Sequence, residues 1–94
     1  MASLFLNPDL YKKEIEQIPT RNGYGDALLA LGKTNKDVFV LTGDLAESTR
    51  VNQFQNAYPE RFVECGIAEQ NMMGIAAGMA LSGATPFVSS YAVF

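Results

Sequence analysis

The chain has 94 residues, enough for one domain or part of one, and its 48% hydrophobic and 18% charged content is that of a packed core rather than a disordered tail. A net charge of −3 argues against nucleic acid as the main partner, because phosphate binding needs a basic face, and no apolar run approaches the roughly 20 residues that span a bilayer. Histidine is absent and Cys65 is the single cysteine, which excludes histidine-based triads, most zinc sites and an internal disulfide, so acid–base chemistry has to come from carboxylates, a cofactor or another chain.

The N-terminus, Met1 to Asn7, lacks a basic segment followed by a long apolar one, so no signal peptide is expected, and a lone thiol suits a reducing cytoplasm. Asn7-Pro8-Asp9 reads as a helix start, and Tyr11, Ile15 and Ile18 make one apolar stripe on a short helix that Pro19 stops. Residues 1–18 are therefore expected to be a helical lead-in to a domain over 19–94. Thr20 is placed to cap a second helix from about Arg21 to Thr34, with Tyr24, Leu28 and Leu31, together with Ala27, as its buried face and Gly32 and Asn35 weakening and ending it. Gly23 and Gly25 are each about 1 kcal/mol worse than alanine inside a helix, a cost that makes sense where protein or ligand approaches the backbone closely. Arg21, at the end of the helix where a cation gains nothing from the dipole, is either solvated or an anion contact.

Asp37 to Asp44 is the clearest strand: four consecutive apolar residues bounded by a turn suggest burial on both faces, as in a parallel sheet. Asp44 then caps a turn or serves a site. From Leu45 to Ala57 the pattern is a loop and a poor helix with Val51 and Phe54 as its large apolar residues. A short strand over Arg61–Glu64 breaks at Gly66 and leads into a helix over Ala68–Leu81 that is apolar nearly all round, hence expected to be buried on nearly all sides, in part against another chain. Glu69 opens that helix. Ligands in open α/β sheets collect at the carboxyl ends of the strands, beside helix N-termini, so Glu69 is either a site carboxylate or a solvated acid favoured by the dipole. A third strand spans Thr85–Ser90, and Tyr91 to Phe94 follow. The alternating order implies an α/β fold with a parallel sheet, and the thin cover of three strands leads us to expect the front part of a larger domain.

The run Gly66-Ile67-Ala68-Glu69-Gln70-Asn71-Met72 with Gly74-Ile75-Ala76-Ala77-Gly78, preceded by Tyr58-Pro59-Glu60-Arg61-Phe62, closely resembles the pyrimidine-binding domain of transketolases, and more narrowly the C-terminal subunit of split, two-gene transketolases. The likeness extends through Thr20-Arg21, Gly43-Asp44-Leu45 and Pro86 to Phe94. It implies an incomplete three-layer thiamine-diphosphate-binding fold and the transfer of a two-carbon ketol unit between sugar phosphates. In such enzymes the glutamate matching Glu69 hydrogen-bonds the ring nitrogen of the aminopyrimidine, carrying or sharing a proton, and favours the imino tautomer that deprotonates the thiazolium carbon. Phe94 matches the aromatic that stacks on that ring, and Tyr91 a neighbour lining the pocket, where phenylalanine is commoner. Asp44 matches an aspartate near the thiazolium ring; Arg21 and Ser48 match residues that hold the sugar phosphate. The magnesium and diphosphate motif belongs to the partner domain, Gly43-Asp44-Leu45 is not that motif, and no metal ligands are assigned here. An oligomer with a diphosphate-binding subunit is implied, no membrane or nucleic acid, and no turnover by this chain alone. Cys65 reads as a small inert hydrophobe. The alternatives are 1-deoxyxylulose-5-phosphate synthase, disfavoured by Asn71 where a histidine is usual, a pyruvate dehydrogenase beta-type subunit, and a truncated, non-catalytic interaction module.

Overall fold

A computed structural model describes residues 8, 11, 12 and 14–91. Its elements in chain order are α1 (Thr20–Thr34), β1 (Val38–Thr42), α2 (Asn52–Ala57), a 3-10 turn (Pro59–Arg61), β2 (Phe62–Glu64), α3 (Glu69–Leu81) and β3 (Thr85–Val88). The three strands form one parallel sheet in the order β2-β1-β3, with Val40 opposite both Phe62 and Phe87. The expected parallel α/β architecture is present, and its central strand is the one read most clearly from sequence.

Side chains alternate across a strand, and β1 uses the alternation to build two cores. Val38 and Val40 face α1 and α2, where they meet Leu28, Val51 and Phe54; Leu41 faces α3, where it meets Met72 and Ala76. The result is three layers, helix–sheet–helix. Val51 and Phe54, the two large apolar residues of an otherwise polar stretch, are fully buried.

Three expectations are corrected. The apolar stripe Tyr11–Ile15–Ile18 is not helical in its described residues: residues 15–19 carry no regular structure, Tyr11 and Ile18 are exposed and Ile15 is half-buried, too little cover to support an amphipathic helix. Asn7, Asp9 and the last three residues, Phe94 among them, lie outside the described residues. Thr20 is the first residue of α1 rather than its cap; Pro19 holds the cap position without a side-chain hydrogen bond. The buried face of α1 is Gly25, Leu28 and Gly32, with Tyr24 half-buried and Ala27 and Leu31 exposed. A Cβ on Gly25 would overlap the Arg50 carbonyl, and one on Gly32 would lie 2.6 Å from the Phe54 ring, so the helix turns these two glycines inward to let the turn after β1 and the rings at α2 come close. As for α3, it buries Met72 and Ala76 within this chain, while Met73 is 58% and Leu81 90% exposed. Among the described residues, one sheet face is the cover that this apolar helix receives.

Arg61 ties the end of α1 to the end of α2 within one helical layer. Its guanidinium donates to the carbonyls of Gly32 (2.9 Å) and Asn35 (3.0 Å) at the C-terminus of α1 and lies 4.3 Å from the centre of the Tyr58 ring. A cation there satisfies carbonyls that have no intrahelical partner and complements the negative end of the dipole. No helix among the described residues is long and apolar enough to cross a membrane.

Candidate active site

The site is assembled where β1 and β2 end. Thr42, the last residue of β1, is fully buried; its carbonyl accepts the Cys65 N–H at 2.8 Å and its hydroxyl accepts the Leu45 N–H at 3.2 Å, which bends the chain sharply after the strand. Gly43 follows, and a Cβ there would stand 2.7 Å from the Gly66 carbonyl oxygen, so only glycine lets the two strand-end turns touch. Asp44 comes next with a positive φ of 64°, a conformation that aspartate tolerates better than most side chains. The turn over 46–50 is closed by the Val51 N–H to the Ala46 carbonyl at 2.8 Å and by the Thr49 hydroxyl to the Leu45 carbonyl at 2.7 Å.

Two adjoining clefts open on this edge. The larger, of about 770 Å³, is lined by Arg21, Asp44, Ser48, Arg50 and Glu64 among others. The second, of about 490 Å³, is lined by Gly43, Asp44, Leu45, Ile67 and Glu69. Asp44 and Leu45 form the wall between them. Glu69 is the first residue of α3, at the positive end of the helix dipole, and is half-buried.

The chain thus brings Arg21, Asp44, Ser48 and Glu69 to one end of the sheet although 48 positions separate the first from the last. Tyr91 joins them by way of Ser48. Its hydroxyl donates to the Ser48 carbonyl at 3.1 Å and lies 2.5 Å from the Ser48 Oγ, which places the serine hydroxyl as donor to the phenol oxygen. Tyr91 also lines a small cleft of about 270 Å³ with Arg21, Tyr24 and Ser89, rather than the cleft of Glu69. The buried hydroxyls of Tyr24 and Ser89 have no hydrogen-bond partner among the described residues.

Sequence reasoning overlooked Glu64. It sits opposite Thr42 in the β1–β2 register, and its Oε2 accepts the Asp44 N–H at 2.9 Å and the Gly66 N–H at 2.8 Å. No periodic pattern marks a strand-end acid that bonds backbone amides across a turn. Cys65, beside it, is half-buried, and burial followed by the Glu64 carboxylate pushes its thiol up, in keeping with an inert residue.

Residues 16–94 match the family described as transketolase, pyrimidine binding domain. The chain belongs to this family. It is 47% identical over 74 residues to a putative transketolase C-terminal section of Methanocaldococcus jannaschii, covering 79% of this chain and 23% of that protein. It is 45% identical over 80 residues to human transketolase, covering 84% of this chain and 13% of the human protein. Among solved structures it resembles a split-gene transketolase in the form of an inactive beta4 tetramer, with a TM-score of 0.75 and 51% identity over 84% of this chain and 26% of that one. The chain spans about a quarter or less of these transketolases.

Proposed function

We propose that this chain provides the glutamate-bearing wall of a thiamine diphosphate site in a transketolase that moves a two-carbon ketol unit between sugar phosphates. The observation that carries the reading is the juxtaposition of the half-buried Glu69, at the head of α3, with a cleft that shares its Asp44–Leu45 wall with the cleft of Arg21 and Ser48. The donor set suits an aromatic heterocycle: Leu45 and Ile67 offer apolar surface to a ring face, and one carboxyl is available to a ring nitrogen. Thiamine diphosphate, when bound, supplies the carbanion chemistry that no side chain of a histidine-free chain provides.

The chain's own residues then divide the work. Glu69 orients the pyrimidine by a hydrogen bond that requires a proton on, or shared with, its carboxyl. Asp44 presents a carboxylate to the boundary between cofactor and substrate. Arg21 offers a planar fork to a phosphate, and Ser48, held by Tyr91, offers a hydroxyl. Phe94 is proposed to stack on the pyrimidine. Magnesium and the diphosphate are proposed to be held by a second, diphosphate-binding subunit, and the exposed side of α3, with Met73 and Leu81, is proposed to face another subunit. A beta subunit that by itself forms an inactive tetramer, as in the solved relative, is what a site divided between different subunits leaves behind. The assembly is proposed to work in the reducing cytoplasm, with residues 1–18 as a lead-in to the domain.

Calorimetry with thiamine diphosphate, with and without the diphosphate-binding subunit, tests the reading. Binding is expected only in the assembly, and Glu69→Gln or Glu69→Ala is expected to lower turnover by about 10²-fold or more with the oligomer intact, the scale at which a positioned proton-transfer group acts. Normal turnover in either variant refutes it.

A further inference from the structure

We propose that Glu64 is a positioning residue of this site: its carboxylate clamps together the two strand-end turns that carry Asp44 and Gly66 and thereby sets the wall shared by the two clefts. The inference rests on the function proposed above and adds a residue to it. One oxygen, Oε2, takes both amides, that of Asp44 at 2.9 Å and that of Gly66 at 2.8 Å. Both amides belong to residues in the left-handed region, with φ of 64° at Asp44 and 71° at Gly66. A non-glycine residue persists there only when its surroundings hold it, and here the holding group is a single acceptor oxygen that takes both amides.

The clamp works against a contact on its other side. The Gly66 carbonyl lies so near Gly43 that a side chain has no room, so the two turns are pressed together by the glycine contact and tied by the carboxylate. Glu64 needs no reach to do this, because the sheet register sets it beside Thr42, two residues before Asp44. Asp44 lines both clefts, Glu64 lines the larger one, and Ile67, next to Gly66, lines the Glu69 cleft. Releasing the tie frees Asp44 to leave its strained conformation and shifts both walls at once. Glu64 acts through the backbone it holds.

Two readouts on the full-length protein test this. Amide hydrogen exchange at Asp44 and Gly66 is expected to speed up by about tenfold in Glu64→Ala and to stay near wild type in Glu64→Gln, which keeps an acceptor oxygen but not the charge. Thiamine diphosphate titrated into the assembly with its diphosphate-binding subunit is expected to bind about tenfold more weakly to Glu64→Ala, with affinity largely rescued in Glu64→Gln. Unchanged exchange in Glu64→Ala, an affinity within twofold of wild type, or no rescue by glutamine overturns the clamp. Failure of the wild-type assembly to bind thiamine diphosphate overturns the functional reading instead, and is seen in a sample that contains no variant.

Discussion

Two glycines separated by a single residue on α1 are expected to respond to the same substitution with opposite signs. Around Gly23 a new Cβ meets nothing within 4 Å, so Gly23→Ala adds only helix propensity, a gain of about 0.5–1 kcal/mol. At Gly25 the same methyl would overlap the Arg50 carbonyl and stand 2.8 Å from the Arg50 Cβ. Arg50 has little room to give: it has a positive φ of 64°, its N–H bonds the Glu47 carbonyl, and the next residue, Val51, is fully buried. Overpacking of this kind costs about 1–3 kcal/mol, and even after the propensity gain Gly25→Ala is expected to be roughly 2 kcal/mol less stable than Gly23→Ala. Urea denaturation followed by far-UV circular dichroism compares the two midpoints directly. The displacement also has a functional reading, because Arg21 stands one turn before Gly25 and shares a cleft with Ser48; pushing α1 off the turn is expected to raise KM for a sugar phosphate more than it lowers kcat. Equal stability of the two variants would refute the close approach of α1 to Arg50.

Arg61→Ala removes two hydrogen bonds to the α1 C-terminus and the contact with Tyr58, and a loss of about 2 kcal/mol is expected in the same denaturation assay. Arg61→Lys is expected to recover less than half, because an ammonium does not reproduce the fork. Cys65 is expected to react with iodoacetamide more slowly than a free thiol at mildly alkaline pH, since a thiol pushed up by burial and by Glu64 holds less thiolate at any given pH. Glu64→Gln removes the smaller of those two causes and is expected to speed the reaction modestly. The sign for stability follows: the folded chain keeps the Cys65 proton longer than the unfolded chain does, so this contribution is fully present below the ordinary thiol range and is lost as pH rises through the raised value.

What the sequence determined by itself was local and periodic. Four apolar residues in a row before Gly43-Asp44 specify a strand buried on both faces, and the structure makes it the centre of the sheet. Gly66 to Gly78 specify a turn and a helix that starts at Glu69, with the family written in the same residues. Tertiary structure decided what periodicity does not encode. It set the buried face of α1 around Leu28, with Gly25 and Gly32 turned inward by close backbone approach and Leu31 left exposed. It left residues 14–18 without a helix, because an amphipathic stripe forms a stable helix only against a surface that covers it. It also brought Glu64 to the amides of Asp44 and Gly66, a contact set by strand register and two left-handed turns, and long-range geometry of that kind leaves no mark in the order of the residues.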